Sequence, residues 1–176
     1  GSYDSGDNGD SEDGEGNEMH KGIKLDWTKE YVKNANKAGL LIHGCFMVGN
    51  PGETKETMEE TFRLALRLNT DTAQFFPLMV YPGTDAYTWA ERNHYLVTKD
   101  WSEWITTDGL HSCVISLPEV SDKELVAFCD EARRKYYLRP AYILSKLRQF
   151  VFNPGERKRL IKAGTRFIRF LAKKGE

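Results

Sequence analysis

Two Pro-Gly corners are the stretches of this chain whose residue types and spacing could do chemistry. The first is Gly49-Asn50-Pro51-Gly52-Glu53-Thr54 and the second is Tyr81-Pro82-Gly83-Thr84. Gly49 and Gly52 permit positive φ and a close approach of backbone to a ligand. Thr54 and the helix start behind it would present open backbone N–H groups to a polar or anionic group. A phosphate-binding loop needs G-x-x-x-x-G-K followed by Ser or Thr. No Gly-Lys pair arrives after Gly49, and Glu53 stands where a lysine would neutralise phosphate. A carboxylate there repels a nucleotide triphosphate. A capped strand-to-helix turn with no ligand is the alternative from the residues alone.

The elements around the corners must position them. Asp26 or Thr28 can cap a first helix running to about Ala38, with Tyr31, Val32 and Ala35 as its apolar stripe. Residues 40–48, LLIHGCFMV, form a near-continuous apolar run, the pattern of a parallel strand covered on both faces. Alternation places His43, Cys45 and Met47 on one face, with Phe46 and Val48 on the other. Thr54 or Thr57 caps a second helix whose apolar side is Met58, Phe62, Leu64, Ala65 and Leu68. Residues 72–80, TAQFFPLMV, read as a second strand, in which Pro77 demands a bulge, an edge position or an early end. Residues 85–93 read as a third helix. This alternation predicts an α/β fold with a parallel sheet, and such sheets bind ligands at the carboxyl ends of their strands. Both corners lie there.

Beyond Tyr95 the pattern changes. Residues 97–118 are irregular, and Ser121 with Glu124 makes a capping box for a helix to about Leu138. Pro140 breaks that helix, which resumes to about Val151. Pro154 opens a last helix to Lys174.

Composition narrows the function classes. The chain has 176 residues, a net charge of −1, and 40% hydrophobic residues, enough for one domain or one domain plus an extension. No run approaches the roughly 20 apolar residues that a membrane span needs. Cys45, Cys113 and Cys129 are an odd, sparse set, which argues against a disulfide framework and for a reducing, cytoplasmic setting. No two of them have C-x-x-C spacing, so a zinc knuckle is not supported. Residues 5–18 hold only Gly, Ser, Asp, Asn and Glu and read as a disordered loop, without the register of a calcium loop.

The two corners, with the helix and strand between them, carry a resemblance. Residues 38–84 resemble the second half of a radical S-adenosylmethionine (SAM) barrel, in particular the cobalamin-binding branch that includes hopanoid and bacteriochlorophyll biosynthesis enzymes. That branch carries G-x-P-G-E-T after its fifth strand and a P-Y-P-G-T-like turn after its sixth. Leu68, Asp71, Gln74 and Phe75 match the stretch between, and the similarity covers Trp27 to Leu96. Upstream, Tyr3-Asp4-Ser5-Gly6 and His20-Lys21-Gly22 are similar to the end of the fourth strand and the following K-K-G. Asp4 replaces the usual Glu, and the acidic loop replaces a helix.

The resemblance implies the C-terminal part of a (βα)6 partial barrel over residues 23–96. Residues 1–22 would supply a strand end and loop, and 97–176 an irregular segment and helical extension. It implies SAM contacts at Asp4, Ser5, Val48, Gly49, Asn50 and Pro51, and substrate contacts at His43, Gln74 and Tyr81. From the residues alone, His43 and Gln74 also read as hydrogen-bonded core groups, and Cys45 as a small inert hydrophobe. In the parent enzyme the resemblance implies a four-iron, four-sulfur cluster, with cobalamin as a further cofactor. The family's C-x-x-x-C-x-x-C ligand set and its first strands are not in the chain. The expectation is a fragment that needs the missing N-terminal part of the barrel and is not catalytic by itself. The rival is a non-catalytic interaction or membrane-surface module on a degenerate half-barrel.

The carboxyl-terminal segment 155–174 is basic and amphipathic. Leu160, Ile161, Phe167, Ile168 and Leu171 recur at helical spacing among Arg157, Lys158, Arg159, Lys162, Arg166, Arg169, Lys173 and Lys174. One reading is a peripheral anchor on the anionic inner face of a membrane. The other is a terminal helix packing its stripe on Tyr136, Tyr142 and Phe150. Nucleic acid fits less well, because no aromatic and basic platform accompanies the charges.

Overall fold

The computed structural model describes residues 25–104 and 113–172, so Asp4, Ser5, the acidic loop, Lys173 and Lys174 lie outside the described residues. In order come α1 (Leu25–Lys37), β1 (His43–Val48), α2 (Lys55–Leu68), β2 (Thr72–Pro77) and α3 (Asp85–Arg92). A 3-10 turn (Trp101–Trp104) then leads to α4 (Asp122–Tyr137), α5 (Pro140–Phe152) and α6 (Arg157–Ala172). Helices α2, α3 and α4 begin where capping chemistry places them. Thr54, not Thr57, caps α2: its hydroxyl oxygen accepts the Thr57 N–H at 3.3 Å, and Thr57 Oγ1 accepts the Thr54 N–H at 2.9 Å. Ser121 and Glu124 form the expected box on α4. Helix α1 is already under way at Leu25, so neither Asp26 nor Thr28 caps it; Asp26 pairs with Lys29 at 2.9 Å instead.

The fold is α/β. β1 and β2 pair in parallel, from His43 opposite Thr72 to Val48 opposite Pro77. The two strands expected over residues 23–96 are the two strands present among the described residues, and two strands alone do not make a barrel. Thr72 N–H donates to the Ile42 carbonyl at 3.2 Å and Leu78 N–H to the Val48 carbonyl at 2.7 Å. That phase turns the backbone groups of Ala73, Phe75 and Pro77 away from β1. Proline is therefore tolerated at 77, because the N–H it lacks would have pointed to the outer edge.

One face of the sheet is packed. Phe46, Val48, Ala73 and Phe75 are buried with Met58, Phe62 and Ala65 of α2 and Leu125, Cys129 and Ala132 of α4. The Phe75 ring lies 5.3 Å from Phe46, 5.9 Å from Phe62 and 6.0 Å from Tyr136. Val114, Ile115 and Val120 join the same core, so segment 113–137 helps to build the sheet's cover. The opposite face leaves His43, Cys45 and Gln74 exposed. The apolar run predicts cover on both faces of β1; among the described residues only one is covered.

The C-terminal helices attach at the strand-entry end, away from the corners. The Tyr136 hydroxyl donates to the Thr70 carbonyl at 2.6 Å, and the Tyr142 hydroxyl to the Asp71 carbonyl at 2.8 Å. Lys146 reaches the Asp71 carboxylate at 3.2 Å. Helix α6 lays Phe167 5.2 Å from Tyr137. No described helix is long and apolar enough to cross a membrane.

Candidate functional site

The first corner is built around Glu53. This carboxylate is buried. It accepts the Gly49 N–H at 3.0 Å and the Asn50 N–H at 3.4 Å, and the Thr57 hydroxyl donates to its other oxygen. Glu53 N–H returns a bond to the Asn50 carbonyl at 3.0 Å. With Thr54 and Thr57 amides consumed by the cap, five N–H groups of the corner, those of Gly49, Asn50, Glu53, Thr54 and Thr57, are engaged internally. For these five groups the expectation of open amides awaiting an anion is corrected: the corner carries its own anion. Glu53, read from sequence only as a reason against phosphate, is what closes the turn.

Gly49 and Gly52 do different work. Gly49 has φ +94°, and a Cβ there would come within 3.1 Å of Ile115 Cδ1 and 3.3 Å of Leu125 Cδ1. The close approach it permits is by the protein's own core. Gly52 has φ +74° with open space around it. Asn50, Pro51 and Gly52 line a cleft of about 630 Å³ with Thr57, Leu64 and Leu25.

At the second corner the Tyr81 carbonyl accepts both the Thr84 N–H at 3.1 Å and the Thr84 hydroxyl at 2.7 Å. Thr84 in turn caps α3 by accepting the Tyr87 N–H at 3.2 Å. The Tyr81 side chain itself is exposed.

The open sheet face runs down from these corners. Met47 lies opposite Phe76, then Cys45 opposite Gln74, then His43 opposite Thr72. The fold thus gathers Val48, Gly49, Asn50 and Pro51 at one corner, starts the neighbouring corner at Tyr81, and puts Gln74 on the face between. His43 is separated from them. Its Nδ1 is 2.8 Å from Thr72 Oγ1 at the strand-entry end, roughly 16 Å from Val48 by strand rise. Cys45 is not a buried hydrophobe but an exposed group on this face. Phe76 escaped the sequence reading because only the pairing register sets it beside Met47, where the two half-buried side chains form an apolar floor next to the corners.

The other two thiols are chemically quiet. Burial pushes Cys113 up to about 11 and Cys129 up to about 12. No group of three His, Cys, Asp or Glu side chains that could hold a metal occurs among the described residues. An iron–sulfur cluster requires grouped thiolates, and these three cysteines do not fit one. Beside the first corner, Lys55 bonds Glu124 at 2.8 Å and, with Ser121, holds that carboxyl down to about 2. The pair ties the first turns of α2 and α4 together.

No protein-family model matches the chain. Among curated proteins, it is 33% identical over 127 residues to an uncharacterized methyltransferase of Pyrococcus horikoshii, across 72% of this chain and 27% of that protein. It is 27% identical over 141 residues to an uncharacterized protein of Methanocaldococcus jannaschii, across 78% of this chain and 42% of that one. A tRNA-2-methylthio-N(6)-dimethylallyladenosine synthase of Bartonella henselae is 36% identical over 78 residues, across 44% of this chain and 16% of the synthase. The chain thus spans less than half the length of each of these relatives.

Proposed function

We propose that this chain is the carboxyl-terminal part of a radical SAM-type barrel, and that its two corners form part of an S-adenosylmethionine site. The observation that carries this reading is the half-covered parallel sheet. Parallel sheets are stable when covered on both faces, yet here His43, Cys45 and Gln74 look into open space. In a barrel that face is the interior, and the strands completing it come from a segment that precedes β1. The names of two relatives, a methyltransferase and a methylthio-modifying tRNA synthase, support transfer chemistry that uses SAM.

Within this reading Asn50–Gly52 border the adenosyl group, while Val48 and Gly49, buried against the core, hold the corner in place. Glu53 fixes the corner's backbone, and the Asn50 side chain and Pro51 ring are what the corner can turn toward a ligand. Met47 and Phe76 supply an apolar wall, and Gln74 and Tyr81 are the polar groups nearest the substrate. Asp4 and Ser5 would add contacts from the preceding strand. The cluster ligands would belong to a part of the barrel outside this chain, where such a cluster would supply an electron for the cleavage of SAM. The assignment to the cobalamin-binding branch rests on the two corner motifs, and any cobalamin would be held outside this chain.

Calorimetric titration with S-adenosylhomocysteine tests the site, using the chain joined to a cysteine-bearing N-terminal half-barrel. Saturable binding that falls at least tenfold in Asn50→Ala is expected. Absence of binding in the joined, folded protein overturns the assignment.

A further inference from the structure

We propose that α5 and α6 together form a docking surface for an anionic lipid bilayer. Neither helix has a buried residue. Their inward sides meet in a groove of about 530 Å³ walled by Tyr137, Ile143, Leu147, Phe150 and Phe167. Their outward apolar side chains stay in water: Leu144 is 68% exposed, Val151 60%, Phe152 72% and Ile168 67%. A terminal helix that merely packed on the body would have buried its stripe. Here Phe167 is used on Tyr137, while Ile168 is left out.

Charge selects the partner. Residues 139–172 contain nine Lys or Arg against Glu156 alone. Among the described residues only Lys146 and Arg159 of these have carboxylate partners, Asp71 and Glu156. On α6, Lys158, Lys162, Arg166 and Arg169 share the arc opposite the apolar stripe by helical spacing. Helices of this kind lie in the plane of a membrane interface, with apolar side chains among the headgroups and cations against anionic lipid. RNA would answer the cations and leave Leu144, Val151, Phe152 and Ile168 in water. A second copy of the chain would cover the apolar side chains and bring two strongly positive faces together. A bilayer answers both. The surface is anchored through Tyr142 and Lys146 at the strand-entry end, so docking leaves the two corners uncovered. This inference does not depend on the proposed SAM site.

Flotation of the full chain with vesicles tests it. Phosphatidylcholine vesicles are compared with vesicles of equal parts phosphatidylcholine and phosphatidylglycerol, at low and high salt. Binding only to the anionic vesicles, lost in high salt, is expected. Lys162→Glu with Arg166→Glu and Arg169→Glu should weaken it by about 100-fold or more, taking roughly 1 kcal/mol per basic residue near an anionic surface. Leu144→Ser with Ile168→Ser should also weaken it with charge unchanged. Both variants alter exposed side chains, and thermal melting checks that each is folded. Equal binding to neutral vesicles, or none to anionic ones, overturns the proposal. So does tRNA binding that the Leu144→Ser, Ile168→Ser variant leaves intact, or a dimer that this variant dissolves without any vesicle binding by the parent chain.

Discussion

The Tyr137 hydroxyl accepts the Ala73 amide at 2.9 Å and donates to the Ala73 carbonyl at 2.8 Å. A single side-chain oxygen therefore satisfies both backbone groups that β2 turns outward at its first edge position. Tyr137→Phe keeps the ring against Phe167 and removes only this bridge. Two part-buried backbone groups then lose their partner. A loss of about 1–3 kcal/mol is expected, or roughly 2–4 °C per kcal/mol for a chain of this size. Thermal unfolding followed by circular dichroism checks it; an unchanged midpoint would mean that water replaces the hydroxyl at no cost.

Glu53 holds the first corner from inside. Glu53→Ala strips the Gly49 and Asn50 amides and the Thr57 hydroxyl of their acceptor. The expected cost is about 3 kcal/mol or more, from roughly 1–3 for each of the three donors left unmade. Glu53→Gln keeps one carbonyl oxygen in place and should lose less. Urea unfolding of the two variants gives the order, and equal stabilities would show that the carboxylate does not organise the turn.

The Lys55–Glu124 pair makes a pH-dependent contribution. Glu124 is held down to about 2, from an ordinary value of 4.5, first by Lys55 and then by Ser121. Its folded value lies below its unfolded one, so the contribution is complete above about 4.5 and is lost as pH falls toward about 2. Glu124→Gln keeps a capping-box partner at N3 and removes the charge. Its melting temperature should lie below that of the parent chain near neutral pH and converge with it in acid. A gap that stays constant across that range contradicts the pairing. The effect is small, because both side chains are about half exposed and solvent screens them.

Much of this fold is written in local sequence. The apolar period, the Thr54 and Ser121 caps and the Pro140 break give helices and strands near their observed bounds, because each rests on neighbours within one turn. Pro77 flagged a strand end or an edge, and the outward phase of β2 supplies the reason. What local pattern does not hold is pairing across distance. The bond between His43 and Thr72 joins residues 29 apart in sequence, and nothing near His43 announces that partner. Glu53 looked like a repelling charge because its three donors come from a turn whose closure a linear pattern does not display. The continuous apolar run of β1 read as two-sided burial, and the uncovered face is the largest departure from that reading.

That departure has a consequence at the edge of β1. The ladder phase points the backbone groups of Gly44, Phe46 and Val48 at β2, so those of Cys45 point the other way. No third strand lies on that edge among the described residues. An unpaired parallel edge recruits strands from other chains, so the isolated chain should self-associate as its concentration rises. Cys45→Pro removes one outward N–H and breaks no bond to β2, the situation that Pro77 already occupies on the opposite edge. The preceding residue is Gly44, which tolerates the backbone restriction that proline imposes on its neighbour. Sedimentation velocity should show the parent chain shifting to larger species with concentration and Cys45→Pro remaining closer to monomer. A parent chain that stays monomeric throughout would mean that the β1 edge is covered. Association unaffected by proline would place the contact elsewhere, with the exposed apolar side of α5 and α6 as the next surface to change.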